Sequence, residues 1–476
     1  MMTGTFITGS LLLAAGLVFN KNRAINYLLV ALYILLLWTF GIHFYLNQGI
    51  VELSYFSSDA LGVLLLLGIC IVSTAAFYHG YRYIATRDEE TPQSRGIFFG
   101  SMVLLVTACS LAYLSNHIAV TWIFVELTTL SASVLIYHHR NIRALEGVWK
   151  YVFLCAISIT FIYVGILFLS LSLKDAGINE LSYKVLYQYS DRLNPFWLKL
   201  SFLFIFTGFT VKLGLFPMYT AGIDAKDKAP GPASALLASV LMNVGFIGIF
   251  RVYAIVSGTP LRSWANIIIL VAAVLTIFVA TVYMTRVKNI KRLFAYSGIE
   301  HMGLVMVGLA VGGIGVYAAV LHIILHTLIK PSLFFQYNQI YRVYQSKSIY
   351  DLGNYFKYHK VGAIVVLLGF FSATAMPPSG LFVSEFLIFQ SMIESHYIIL
   401  LMVVLLLLTM IIWGLGVNVF KLLFTPPVSI DENKIPHLNP WESASQFILI
   451  GLAVYLAYAP PAELVSLINE SVKLVH

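Results

Sequence analysis

Residues 203–243 read LFIFTGFTVKLGLFPMYTAGIDAKDKAPGPASALLASVLMN. Lys212 lies inside an apolar run long enough for a helix, and the run then meets Pro217 and a glycine- and proline-bearing stretch from Gly222 to Pro232. A charged side chain near the middle of a bilayer costs about 2.5–3.5 kcal/mol on insertion scales, so it persists mainly where it faces protein or water along a pathway. Irregular backbone at that depth is tolerated only where it is buried in protein or lines a cavity. Buried charge and a broken helix together predict a route for an ion or a proton. The competing reading is a lysine near a helix end that snorkels to the interface.

Working outward, hydrophobic residues make up 59% of the 476 and charged residues only 11%, which excludes an ordinary soluble protein. The formal charge of +8 would suggest nucleic acid in a soluble chain, but here the basic residues separate apolar runs and act as topology determinants. Nucleic-acid binding is excluded on that ground. Cys70, Cys109 and Cys155 lie in apolar runs without CxxC or Cys/His ligand spacing, so neither an iron–sulfur cluster nor a disulfide framework is expected. The sequence offers no cofactor or metal site, and any electron transfer is expected in other subunits. The opening MMTGTFITGSLLLAAGLVF lacks a basic leader and reads as a retained first helix.

Fourteen apolar runs of spanning length are centred near residues 12, 35, 70, 106, 127, 162, 207, 244, 274, 304, 325, 373, 408 and 451. The fold class expected is an all-α polytopic membrane protein of about fourteen transmembrane helices in one membrane domain. Basic residues concentrate after odd-numbered runs, among them Arg82, Arg87, Arg95, Arg140, Arg143, Lys226, Lys228, Lys291, Arg342, Lys421 and Lys434. The opposite loops hold fewer, such as Lys174, Lys184, Arg192 and Arg262. The asymmetry predicts that both termini lie on the outer side of the membrane. Lys212 and Lys330 are the two that fall within runs.

The seventh run breaks at LGLFPMY after Lys212, and the twelfth breaks at Met376-Pro377-Pro378-Ser379-Gly380 ahead of Glu385. Two discontinuous helices, 7 and 12, stand five helices apart. That spacing predicts two inverted five-helix repeats, residues 97–258 (helices 4–8) and 259–424 (helices 9–13), flanked by helices 1–3 in 1–96 and helix 14 in 425–476.

Glu126 is the one formal charge in the fifth run, TWIFVELTTLSASVLIY. An intramembrane carboxylate is a functional candidate by default. In LHIILHTLIKPSLFF, His322, His326 and Lys330 recur every fourth residue and so share one helix face. Haem or metal ligation competes for such a histidine pair, but the lysine on the same stripe fits a proton relay better. Pro331 predicts a kink beside Lys330. A desolvated lysine releases its proton when a carboxylate partner moves away, which would couple a remote event to proton movement.

With these residues in place the chain resembles the antiporter-like membrane subunits of respiratory complex I, multisubunit sodium/proton antiporters and energy-converting hydrogenases. The likeness covers roughly residues 60–425. It rests on Glu126, VKLGLFP at 211–217, DAKDKAPGPASAL at 224–236, IKRLFAYS at 290–297, the His322/His326/Lys330 stripe, and PPSG at 377–380 before Glu385. SGIEHMG at 297–303, with Glu300-His301, is similar to the F-type membrane component of hydrogenase-4, and Glu385 fits that branch or the M-type component of complex I. Asn243 stands where many members place lysine or histidine. Tyr219, Ala221, Gly222, Ile223 and Lys226 also depart from the usual pattern.

The resemblance implies a proton-translocating, non-catalytic subunit of a hydrogenase-4 or formate hydrogenlyase type complex. Its partners would be other membrane subunits and peripheral redox subunits. The residues implied are Glu126, Lys212, Asn243, His322, His326, Lys330 and Glu385, with Asp224, Glu300 and His301 as secondary candidates. Protons would enter at the helix 7 break, pass the histidine–lysine stripe and leave near Glu385. The alternatives are an M-type role in a complex I-like NADH:quinone oxidoreductase and a cation/proton antiporter module that takes Na+.

Overall fold

A computed structural model of the chain describes residues 2–475 apart from 88, 89, 428, 429, 431, 433 and 434. Lys434, named above among the loop lysines, lies outside the described residues. The described residues are mainly helical, with one small antiparallel hairpin among them, Val51–Glu52 paired to Phe56–Ser57.

In chain order the helices begin with α1 (Met2–Phe19), α2 (Arg23–Leu46), α3 (Ala60–Ala85), α4 (Pro92–Leu114), α5 (Ile118–Ile136), α6 (Ile142–Asp175) and the short α7 (Tyr183–Gln188). Next come α8 (Pro195–Leu213), α9 (Thr220–Lys228), α10 (Gly231–Ala238), α11 (Val240–Ser257), α12 (Arg262–Met284), α13 (Ile290–Val311) and α14 (Ile314–Tyr344). The last are α15 (Tyr355–Tyr358), α16 (Lys360–Ala373), α17 (Gly380–Glu394), α18 (Ile398–Phe424), α19 (Ala444–Tyr458) and α20 (Ala462–Val472). Among the described residues 12 helices are long and apolar enough to cross a membrane, and α19 with α20 forms a pair bent by 72°. Side chains write the helix starts: Asn22, Asp59, Thr91, Asn141, Asn194, Asn289 and Ser379 each accept a first-turn N–H.

Both sequence-predicted breaks are present. The seventh run ends as α8 at Gly214, whose φ of +85° suits glycine, and the N–H groups of Gly214 and Leu215 both bond to the Thr210 carbonyl. After residues 214–219 the chain resumes as α9. The twelfth run is α16 and α17 separated by residues 374–379, with Ser379 capping the second piece by accepting from Phe382 N–H. Pro331, by contrast, lies inside α14 without interrupting it.

The chain divides into two compact units. The first runs through Ala229 and adds Val240–Ile268 and the segment from Glu463; the second comprises Pro230–Ser239 and Ile269–Ala462. In the first, α6 and α8 pack backbone to backbone. A Cβ at Gly208 would stand 2.8 Å from the Ser158 carbonyl oxygen, one at Gly165 would stand 3.0 Å from that of Ser201, and Ser158 Oγ donates to the Gly208 carbonyl at 2.6 Å. Small residues permit this approach in a membrane, where packing and hydrogen bonds drive association. Gly245 of α11 similarly meets the backbone of Leu213, pressing on the end of α8.

In the second unit α14 is the central helix, in contact with α10, α13, α16, α17 and α19. The α13–α14 turn closes through Gly312 and Gly313, both at positive φ, and Gly308 and Gly315 bring the two backbones together. This approach fixes the register of the hairpin. His301 precedes Gly308 by the same seven residues by which His322 follows Gly315, two helical turns in each case, so the two histidines face each other.

Candidate functional site

In the first unit the polar cluster gathers at the end of α8. Lys212 is 5% exposed, and its Nζ donates to Thr129 Oγ1 of α5 at 2.8 Å and to the Tyr151 hydroxyl of α6 at 3.3 Å. It also lies 5.4 Å from the centre of the Tyr151 ring. The lysine does not snorkel: its charge is met by hydroxyls and an aromatic face inside the bundle. Glu126, half-buried one turn before Thr129 on α5, lies within electrostatic reach of Lys212 and hydrogen-bonding reach of Thr129. No ion pair joins Glu126 and Lys212 among the described residues, and Glu126 Oε2 has no partner there. Thr129 therefore bridges the two charges, an arrangement that lets the carboxylate's field act on the lysine without locking it.

Beyond the break, Lys226 belongs to α9, is 2% exposed and directs Nζ at Met242 Sδ, 3.1 Å away. The sequence grouped it with exposed loop lysines; burial against α11 makes it a second interior lysine in this unit. Asp224 is half-buried on the same helix, and Asp227, 2% exposed, pairs with Lys228 at 2.9 Å. Asn243 is fully buried on α11 and hydrogen-bonded to the Tyr113 hydroxyl. It is a fixed polar group without a titratable proton.

The second unit assembles the richer cluster. His322, His326 and Lys330 lie fully buried along α14, as the four-residue spacing predicts. Lys330 Nζ donates to Ser297 Oγ of α13 at 2.7 Å. Ser384 Oγ of α17 donates to the Leu381 carbonyl at 3.0 Å and so accepts from His322 Nδ1, also at 3.0 Å. With the Ser384 proton given to Leu381, His322 donates from Nδ1 and presents Nε2 to His301 Nδ1, 3.3 Å away. His301 Nδ1 is in turn 3.5 Å from Glu385 Oε1 and 3.7 Å from Glu300 Oε1, and the His301 and His326 rings meet edge-on at 5.5 Å.

Glu300, His301, His322, His326, Lys330 and Glu385 thus form one buried group on α13, α14 and α17. Glu300 and His301 stand at its centre, although the sequence ranked them second. Thr129, Tyr151, Ser297 and Ser384 were not singled out. Single hydroxyls in apolar helices carry no periodic signal, and only packing shows that they sit on the lysines and on a histidine. A cavity of about 200 Å³ reaches Glu300 and Glu385 and is lined on its other sides by residues such as Thr374, Phe386 and Thr409.

The chain is similar to several known proteins. Residues 115–411 match the family described as NADH:quinone oxidoreductase/Mrp antiporter, transmembrane. A hydrogenase-4 component F homologue from Methylacidiphilum infernorum is 29% identical over 345 residues, which is 71% of this chain and 72% of that protein. NADH-quinone oxidoreductase subunit N of Halorhodospira halophila is 24% identical over 440 residues, 90% of this chain and 88% of the relative. In shape the chain is similar to a subunit of the archaeal membrane-bound sulfane sulfur reductase, with a TM-score of 0.86 at 19% identity, covering 99% of this chain and 97% of that one.

Proposed function

Because the chain belongs to the NADH:quinone oxidoreductase/Mrp antiporter transmembrane family, we propose that it is a proton-translocating subunit of a membrane-bound redox complex of the energy-converting hydrogenase-4 type. The observation that carries this reading is that each unit buries a lysine on a hydroxyl, Lys212 on Thr129 and Lys330 on Ser297, with carboxylates at one remove. A hydroxyl stabilises an ammonium less than a carboxylate does. Each lysine thus has a hydroxyl as its direct partner and a carboxylate near enough for a change in that carboxylate's charge to act on it.

In the proposed cycle, charge displaced by redox chemistry in partner subunits alters the field at Glu126 and Lys212. Lys330 exchanges protons with the His301–His322 pair and Glu385. The two broken spans support the repeat reading as well. With residues 97–258 and 259–424 as inverted halves, Glu126 and Glu300 occupy equivalent spans, as do Lys212 and Glu385. The second half then carries a carboxylate pair where the first carries an acid and a base, and Lys330 supplies its base. Glu300-His301 and the likeness to a hydrogenase-4 component F homologue favour the hydrogenase type.

The test is proton uptake by liposomes holding the complex purified through this chain. Lys212→Ala and Glu126→Gln are each expected to abolish pumping while leaving subunit composition unchanged. Undiminished pumping in both variants would overturn the reading, and a sodium requirement would move it to a cation/proton antiporter.

A further inference from the structure

We propose that His301 Nδ1, His322 Nε2 and Glu385 Oε1 form a buried binding site for a divalent transition metal ion of the zinc class. The three donor atoms lie within 4.8 Å of one another. Two of the separations are 3.3 Å between the histidines and 3.5 Å from His301 to the carboxylate. Zinc bound tetrahedrally at about 2.0–2.1 Å from each ligand requires donors ~3.4 Å apart. Two of the three edges therefore already match a metal tetrahedron, and the third, from His322 Nε2 to Glu385 Oε1, lies within 4.8 Å and closes by a small rotation of the carboxylate. Two imidazoles and one carboxylate suit zinc, cobalt or nickel, and not the all-oxygen preference of magnesium or calcium.

Three further features complete a site. Ser384 holds the His322 proton on Nδ1, leaving Nε2 free to ligate, the outer-shell arrangement typical of metal-binding histidines. Glu300, 2% exposed and with Oε2 unpartnered among the described residues, brings a second negative charge, so two carboxylates offset the ion's double charge in a low-dielectric setting. The ~200 Å³ cavity that reaches Glu300 and Glu385 provides access and room for water as the fourth ligand.

An ion held there occupies the lone pairs through which a proton would pass, so zinc should slow pumping. That consequence rests on the function proposed above; the binding does not.

The experiment is a Co2+ titration of the purified full-length chain in detergent, followed by visible absorption, because tetrahedral cobalt absorbs strongly and hydrated octahedral cobalt weakly. One tetrahedral equivalent per chain, displaced by Zn2+, is expected. His322→Gln and Glu385→Gln should lose it, Ser384→Ala should weaken it about ten- to a hundredfold, and His396→Gln, on an exposed loop, should keep it. Zinc X-ray absorption of the unmodified chain, showing imidazole scattering at about 2.0 Å, makes the assignment independent of how the variants fold. An all-oxygen zinc shell, only octahedral cobalt, or a tetrahedral signal that persists in both His322→Gln and Glu385→Gln would overturn the site. Intact metal binding in a complex that does not pump would instead count against the proposed function alone.

Discussion

At the scale of single residues, hydroxyls are the direct partners of the buried lysines. Thr129 Oγ1 accepts from Lys212 at 2.8 Å, and Ser297 Oγ accepts from Lys330 at 2.7 Å. A hydrogen bond to a charged group contributes about 1.5–3 kcal/mol. Thr129→Val keeps the volume and removes the acceptor, so the Lys212 ammonium should lose roughly that stabilisation and pumping should fall by tenfold or more, with subunit assembly intact. Thr129→Ser should restore most of the rate. Ser297→Ala should act in the same direction through Lys330. Initial rates of dye quenching in liposomes read both effects, and an unaltered rate in Thr129→Val would remove Thr129 from the bridge.

At the scale of elements, close approaches and one arginine set where the site residues stand. Gly208 and Gly165 let α6 and α8 touch, which places Tyr151 beside Lys212. Gly208→Val must push the helices apart, and overpacking of this kind costs typically 1–3 kcal/mol. A lower midpoint of thermal unfolding in detergent, with reduced pumping, is expected. Arg251 of α11 is 1% exposed and donates to Asp59, the N-cap of α3, and to the Ala112, Tyr113 and Ser115 carbonyls at the end of α4. Arg251→Leu strands a carboxylate and three carbonyls, and breaking a buried pair costs roughly 3–5 kcal/mol. Unfolding of that variant should be the earliest of the set. Glu52, outside the spans, ties α1 and α2 to the hairpin by accepting from Thr3 N–H at 2.7 Å and pairing with His43 at 3.1 Å. Burial pushes its carboxyl up, but the Thr3 and His43 hydrogen bonds hold it at about 2. The contribution to stability is complete above the ordinary carboxylate range and is lost as pH falls toward 2. The unfolding midpoint of Glu52→Gln should therefore lie below that of the unmodified chain at pH 7, and the gap should close by about pH 2.

At the scale of the whole molecule, the basic loops predict a fixed orientation. A cysteine at Tyr350, exposed in a basic loop, should react with an impermeant thiol reagent only from the cytoplasmic side, and one at Glu180 only from outside. The reverse pattern would invert the topology. Much of this was legible in the sequence. Apolar runs of spanning length identify a polytopic helical protein because a bilayer leaves few other ways to satisfy the backbone. The breaks at residues 214–219 and 374–379 were visible because glycine and proline punctuate apolar runs, and the His322/His326/Lys330 stripe because helical period is a local property. What only the tertiary structure decided is which polar groups meet. Glu300 and His301 move to the centre of the second cluster because the Gly308–Gly315 approach fixes the α13–α14 register. Lys226 becomes an interior residue because α9 packs after the break, and Thr129 stands between Glu126 and Lys212 because the Lys212 side chain reaches from α8 to α5. Periodicity specifies a helix and the face it buries. The partner met on that face depends on contacts between residues distant in the chain, which no single stretch of sequence encodes.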